Sequence, residues 1–294
     1  MSRGRAGAPG AGAARAARAA AAAAATAALL LALLAAGCSP VRYGVASLQS
    51  TERFRPLPED ARVRCEPGAE EIGRRVAAAL PTAIAAVESS QGDRFPRPVC
   101  VYVCASMASL KRFTATSVGG GAVLGNRLFL SPRLARAPER VPRILAHELS
   151  HLHLSQHVGA VAFAARFPAW FKEGLATYVS GGGGAERVSE EEARRAILEG
   201  RHLRAEESDN LLFPQSSQRY GLAAHMFYRQ SAMFVRYLDR RDPARFRAFL
   251  AALERGEGFT PAFVAAFGVR PAGAWQGFVA ALRAEAAPSA PPGR

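Results

Sequence analysis

The chain predicts an α+β protein, with a small mixed sheet and its helices in the N-terminal half and an almost wholly helical C-terminal half. Three observations carry that prediction. Residues 70–131 read as helix, strand, helix, strand; a helix containing His147, Glu148 and His151 follows; and from Pro168 onward helical segments succeed one another with Gly, Pro or polar breaks between them. Of 294 residues, a mature chain of roughly 250 forms one unit in two lobes. There is no internal repeat.

In chain order, the first element is a leader. Arg3, Arg5, Arg15 and Arg18 precede an alanine- and leucine-rich run, the layout of a secretory signal over residues 1–37. Its end, Leu-Leu-Ala-Ala-Gly-Cys38-Ser, resembles a bacterial lipobox, with Ala35 where leucine is usual. The resemblance implies acylation of Cys38, more than one acyl chain for stable attachment, and a lipid-anchored place in the bacterial cell envelope. Ser39, rather than aspartate, is compatible with outer-membrane sorting. Residues 38–60 read as a linker holding the domain off the membrane, residues 61–286 as the folded domain, and residues 287–294, rich in Pro and Ala, as a disordered tail.

Within the domain, Ile72, Val76, Ala79, Leu80, Ile84 and Val87 recur at helical spacing over 70–89, with Pro81 expected to kink the run. Residues 99–103 alternate like a strand. A short helix runs through Leu110 and Phe113, a glycine-rich loop covers 118–125, and 126–131 is a second strand. Helices are then expected near 143–158, 168–180, 189–200, 217–240, 243–254, 260–267 and 272–285, with Gly181 to Gly184 as a hinge or loop. Cys100 and Cys104 lie about 13 Å apart along one strand, too far to bridge each other. At most one of them pairs with Cys65, and no pair has the spacing of a thiolate metal site.

The formal charge is +14, and +10 once the four leader arginines are removed. Lys111 and Lys172 are the only lysines, so arginine carries the excess, and with the abundant Ala, Gly and Pro this reads as codon bias of a GC-rich genome. No basic run with interleaved aromatics is present, which excludes a nucleic-acid partner.

The chemistry sits in His147-Glu148-Leu-Ser-His151. Residues i and i+4 share a helix face, so the two imidazoles converge on one metal, and Glu148 stands beside its open position as a base for water. A catalytic zinc takes three protein ligands. His157 stands where metzincins carry their third histidine, but Leu154 replaces the glycine that turns that chain back; on a continuing helix His157 lies about 240° round from His151. His153 and His157 are read as a solvated pair. Glu173, in Pro168-Ala-Trp-Phe-Lys-Glu-Gly-Leu-Ala-Thr-Tyr-Val179, offers a carboxylate from a second helix, giving a His2Glu set.

That segment resembles the glutamate helix of gluzincins, the thermolysin and aminopeptidase N group within the peptidase-MA-like superfamily. Residues 228–238, opening on Tyr228, resemble the helix that carries the catalytic tyrosine in aminopeptidase-N-like members; Tyr220 and His225 are nearby substitutes. The three motifs cover residues 143–238. The resemblance implies a zincin-like two-lobe fold with the metal helix next to the sheet, and Zn²⁺ held by His147, His151 and Glu173. It implies Glu148 as general base, Tyr228 as oxyanion donor and Thr177 as a residue orienting a ligand. It implies a peptide or protein substrate, and an edge strand before the metal helix to which an extended peptide adds. Two features depart from aminopeptidase N. The interval from His151 to Glu173 is longer, and the Gly-x-Met-Glu-Asn segment that holds a free N-terminus is absent, which turns the implied activity toward an endopeptidase. The alternative is a non-catalytic envelope lipoprotein that uses a zincin scaffold for binding.

Overall fold

Val101, Val103, Leu128, Phe129 and Leu130 are all fully buried, so the two central strands are covered on both faces, as parallel strands in mixed sheets generally are. The computed structural model describes residues 39–116, 119–207 and 217–286, with four isolated positions (15, 21, 22 and 24) before them. The leader, Cys38 and the tail from 287 lie outside the described residues.

Five strands form one mixed sheet: β1 (Arg55–Pro56), β2 (Val63–Cys65), β3 (Val101–Val103), β4 (Gly121–Leu124) and β5 (Arg127–Leu130), in the order β1-β2-β3-β5-β4. β2, β3 and β5 are parallel; the outer strands β1 and β4 are antiparallel to their neighbours. The long crossover from β2 to β3 is α2 (Glu70–Gln91), the length of connection a parallel pair needs. It runs unbroken through Pro81, which stays exposed. On one sheet face Val101, Val103, Leu128 and Leu130 pack with α2 and with α4 (Val141–Val158). On the other, Tyr102 and Phe129 meet Leu110 and Phe113 of α3 (Met107–Thr114) and Phe54.

Phe54 corrects the expected linker at 38–60. Residues Ser39–Ser47 are helix α1, and Phe54, 1% exposed, packs edge-on to Tyr102, Phe113 and Phe129. Arg53 Nε is 2.8 Å from the buried Glu66 carboxylate, and β1 adds a strand to the sheet. The segment is part of the folded unit because Phe54 fills a ring cluster three elements wide and Leu57 joins the sheet core.

The expected loop at 118–125 is corrected too. Gly121–Leu124 is the edge strand β4, and the strand expected at 126–131 is an inner one, between β3 and β4. Val118 lies outside the described residues. Cys65, Cys100 and Cys104 are all free thiols; burial pushes Cys65 up to about 11 and Cys104 up to about 12.

The second half is helical: α5 (Ala160–Arg166), α6 (Ala169–Val179), α7 (Glu190–Leu198), α8 (Ala224–Arg241), α9 (Pro243–Glu254), α10 (Phe259–Phe267) and α11 (Pro271–Ala286). Trp170, Phe171, Phe234, Phe249 and Phe263 are fully buried in its core. α7 opens on a reciprocal capping box between Ser189 and Glu192, and Asp242 caps α9 through the Arg245 N–H. α4 and its His residues lie between this helical core and the sheet core, touching both. Among the described residues no helix is long and apolar enough to cross a membrane.

Candidate metal centre

α4 begins with Pro142 in its first turn, where the missing N–H has no intrahelical partner to lose. It runs to Gly159, whose φ of 85° ends it. His147 and Glu148 are 5% and 8% exposed. His147 Nε2 lies 3.2 Å from His151 Nε2, their rings edge to face.

Glu173 arrives from α6. Its Oε2 is 3.3 Å from His147 Nε2 and 3.6 Å from His151 Nε2. The two imidazoles and the carboxylate form a group whose ligand atoms all lie within 4.8 Å of one another. A zinc ion about 2.0–2.2 Å from each such ligand separates them by about 3.3 Å, so the donor set fits the metal. His147 Nδ1 lies 3.0 Å from the Gly183 carbonyl oxygen. Donation there fixes the tautomer that leaves the Nε2 lone pair facing the cluster, the usual outer support of a metal-bound histidine.

The electrostatics follow from crowding buried groups of opposite sign. Burial alone would raise the Glu173 carboxyl, but the imidazoles of His151 and His147 outweigh it and hold Glu173 far below the usual carboxylate range. Burial would lower His147, yet its bond to Glu173, the Glu148 charge and the Gly183 carbonyl raise it. Glu148 is raised by burial, against the pull of both histidines. A carboxyl lifted in this way has the proton affinity a general base requires.

Tyr228, near the start of α8, packs its ring over His147 at 6.0 Å between centroids. The Glu173 charge, burial, the Glu148 charge and a hydrogen bond to Glu173 push its phenol up strongly. The hydroxyl therefore stays protonated and points at the carboxylate of the cluster. Of the nearby substitutes, Tyr220 stacks on Phe227, and His225 lies 3.8 Å from Glu186. The buried Thr177 hydroxyl makes no hydrogen bond to His147, His151 or Glu173. Its backbone carbonyl instead accepts from the Gly182 N–H and the Ser180 hydroxyl, shaping the loop that carries Gly183.

Three glycines complete the site, and the side-chain chemistry in the sequence did not single them out. A Cβ on Gly121 falls 2.8 Å from Glu148 Cγ and 2.9 Å from the Phe129 carbonyl oxygen. A Cβ on Gly183 falls 2.6 Å from the Arg143 carbonyl oxygen, and one on Gly184 falls 3.0 Å from the Tyr228 ring and 3.3 Å from His147 Cε1. The glycine runs at 119–121 and 181–184 were the available signal: such runs mark places where backbone approaches another group closely.

His157 points away from this cluster, as its helical rotation predicts; its Nε2 is 3.2 Å from the Arg94 carbonyl oxygen. The reading of His153 and His157 as a solvated pair does not hold, because His153 is fully buried.

No protein-family model matches the chain, and no curated protein matches it. Among solved structures, native yeast LTA4 hydrolase is similar to it, with a TM-score of 0.49 and 14% identity over 82% of this chain and 40% of that one. The chain thus spans about two fifths of that structure's length.

Proposed function

We propose that the chain is a zinc-dependent endopeptidase of the gluzincin type, with His147, His151 and Glu173 as metal ligands, Glu148 as general base and Tyr228 as oxyanion donor. The observation that carries this reading is the convergence of three ligand atoms from α4 and α6, with the buried Glu148 carboxyl next in chain to the first ligand. A bound zinc ion polarises a carbonyl and brings the pKa of a coordinated water to about 7.

The remaining steps belong to the protein's own groups. Glu148 takes the proton of the attacking water and delivers it to the leaving amine as the peptide bond breaks. The Tyr228 hydroxyl, held protonated, donates to the oxyanion developing on the carbonyl oxygen. The Gly183 carbonyl keeps His147 oriented throughout. β4 has no strand partner on its outer side among the described residues, and Gly121 within it abuts Glu148. An extended substrate segment adds there as a further strand, its scissile carbonyl delivered to the base. The leader and Cys38 supply an envelope location through a lipid anchor, a reading carried by sequence alone.

Replacing Glu148 by Gln tests the mechanism: zinc content stays that of the wild type, and hydrolysis of a peptide library disappears. Hydrolysis at the wild-type rate in that variant overturns the assignment. Retained zinc with no hydrolysis in the wild type favours a binding scaffold.

A further inference from the structure

The same helix carries a second constellation on another face. His153 follows His147 by six residues and His157 follows His151 by six, a rotation of about 240°. Against that face lies Glu254, the last residue of α9, its side chain 5% exposed. The ligand atoms of His153, His157 and Glu254 all lie within 4.8 Å of one another.

The protonation pattern is unusual for a simple salt bridge. His153 Nε2 is 2.9 Å from the Asp93 carbonyl oxygen, and His157 Nε2 is 3.2 Å from the Arg94 carbonyl oxygen. A ring nitrogen facing a carbonyl must be the protonated one. Each imidazole is thus tied by a backbone carbonyl in the tautomer that leaves Nδ1 with a lone pair. Nδ1 of His153 then faces Glu254 Oε1 across 3.7 Å, acceptor against acceptor, and neither buried atom has a hydrogen-bond partner. A proton shared between them would draw them to about 2.7–2.9 Å. Two ligands of one tetrahedral zinc stand about 3.3 Å apart, much nearer the observed gap.

Asp93 adds a second carboxyl at this place; burial and its presence push Glu254 up to about 7. Phe95 closes over His153 edge-on, 5.0 Å between centroids. Orphaned buried polar atoms are destabilising, and a cation with imidazole and carboxylate ligands satisfies both at once.

We propose that His153 Nδ1, His157 and Glu254 form a second binding site for a zinc-class divalent cation, distinct from the cluster at His147. Imidazole with carboxylate suits zinc over calcium or magnesium, which take oxygen alone. Its place explains its use. It joins α4 to the end of α9, while the Asp93 and Arg94 carbonyls that hold the two histidines tie in the turn after α2.

The test is metal content after loading the full chain with zinc chloride and dialysing, with melting measured with and without a chelator. Wild type is expected to hold two zinc ions per chain, Glu254→Gln one, and Glu173→Gln one. In Glu173→Gln the chelator still lowers the melting temperature; in Glu254→Gln with Glu173→Gln it no longer does. A single zinc kept in Glu254→Gln and lost in Glu173→Gln overturns this site and leaves the proposed peptidase centre standing. A single zinc lost in Glu254→Gln and kept in Glu173→Gln supports this site and removes that centre. No zinc in the wild type overturns both. If Glu254→Gln does not fold, His157→Asn, at a less buried ligand, replaces it with the same expectations.

Discussion

Gly121 sets the space in which Glu148 sits. Its missing Cβ leaves the space occupied by Glu148 Cγ at 2.8 Å and by the Phe129 carbonyl at 2.9 Å, and the second of these is backbone that cannot swing aside. In Gly121→Ala the carboxyl is therefore pushed off its position. A displacement near 1 Å costs about 100-fold in rate, and overpacking costs about 1–3 kcal/mol of stability. The ligands belong to other residues, so zinc content should hold while hydrolysis falls; zinc lost in parallel with activity would show that Gly121 supports the metal rather than the base. Tyr228 separates in the opposite sense. Tyr228→Phe keeps the ring against His147 but removes the donor, so kcat is expected to drop about 10²–10³-fold with KM and zinc little changed. A drop in KM-governed binding alone would sink the oxyanion role.

α4 and α6 were legible because their chemistry and their period agree: His147 and His151 share a face by helical spacing, and Trp170, Phe171 and Leu175 bury the helix that aims Glu173. β4 was not, since Gly-Gly-Gly-Ala-Val reads as loop by composition, and only the pairing with β5 makes it a strand. His153 was misread for a related reason: what buries it comes from Phe95 and from α9, about sixty and a hundred residues away in the chain, which helical periodicity does not reveal. The loop between α6 and α7 shows how elements are locked around the site. Glu186 lies 3.1 Å from Arg140, just ahead of α4. Burial would raise its carboxyl, but its own backbone N–H, the Arg140 guanidinium and the Gly184 N–H hold it below the ordinary 4.5. A depressed carboxyl stabilises the fold above its unfolded value and loses that contribution as pH falls through the folded one. Between neutral pH and pH 4.5 the Arg140–Glu186 link should therefore contribute about 1 kcal/mol, discounted for the exposed arginine, and fade below it. Melting of Glu186→Gln against pH should lie below wild type at neutrality and converge with it in acid; a constant gap would mean that the ion pair contributes nothing.

At the scale of the whole molecule, the N-terminal boundary is where sequence and structure part most clearly. Residues 38–60 show no run of apolar residues at helical or strand spacing, the profile of a tether, and a single phenylalanine among them carries no periodic signal. Yet Phe54 is the centre of a ring cluster with Tyr102, Phe113 and Phe129, at centroid distances of 5.2, 5.0 and 6.1 Å. Glu66 depends on the same segment. It is 2% exposed and accepts from Ser109 Oγ at 2.5 Å and the Ala105 N–H at 2.8 Å, with Arg53 at 2.8 Å as its cation. A chain begun at residue 61 leaves a ring-sized cavity and a buried carboxylate stripped of its counter-charge. Truncating a buried aromatic costs about 3–5 kcal/mol, and breaking a buried charge pair adds to it. Whole domains are stable by only about 5–15 kcal/mol, so the chain from 61 is expected to be largely unfolded, while a chain from Ser39 melts cooperatively. Phe54→Ala in the longer chain isolates the ring: urea unfolding should show a loss of about 3–5 kcal/mol with an unchanged slope. Equal stability of the two chain lengths would mean that residues 39–60 rest on the surface and that the sheet core closes without them.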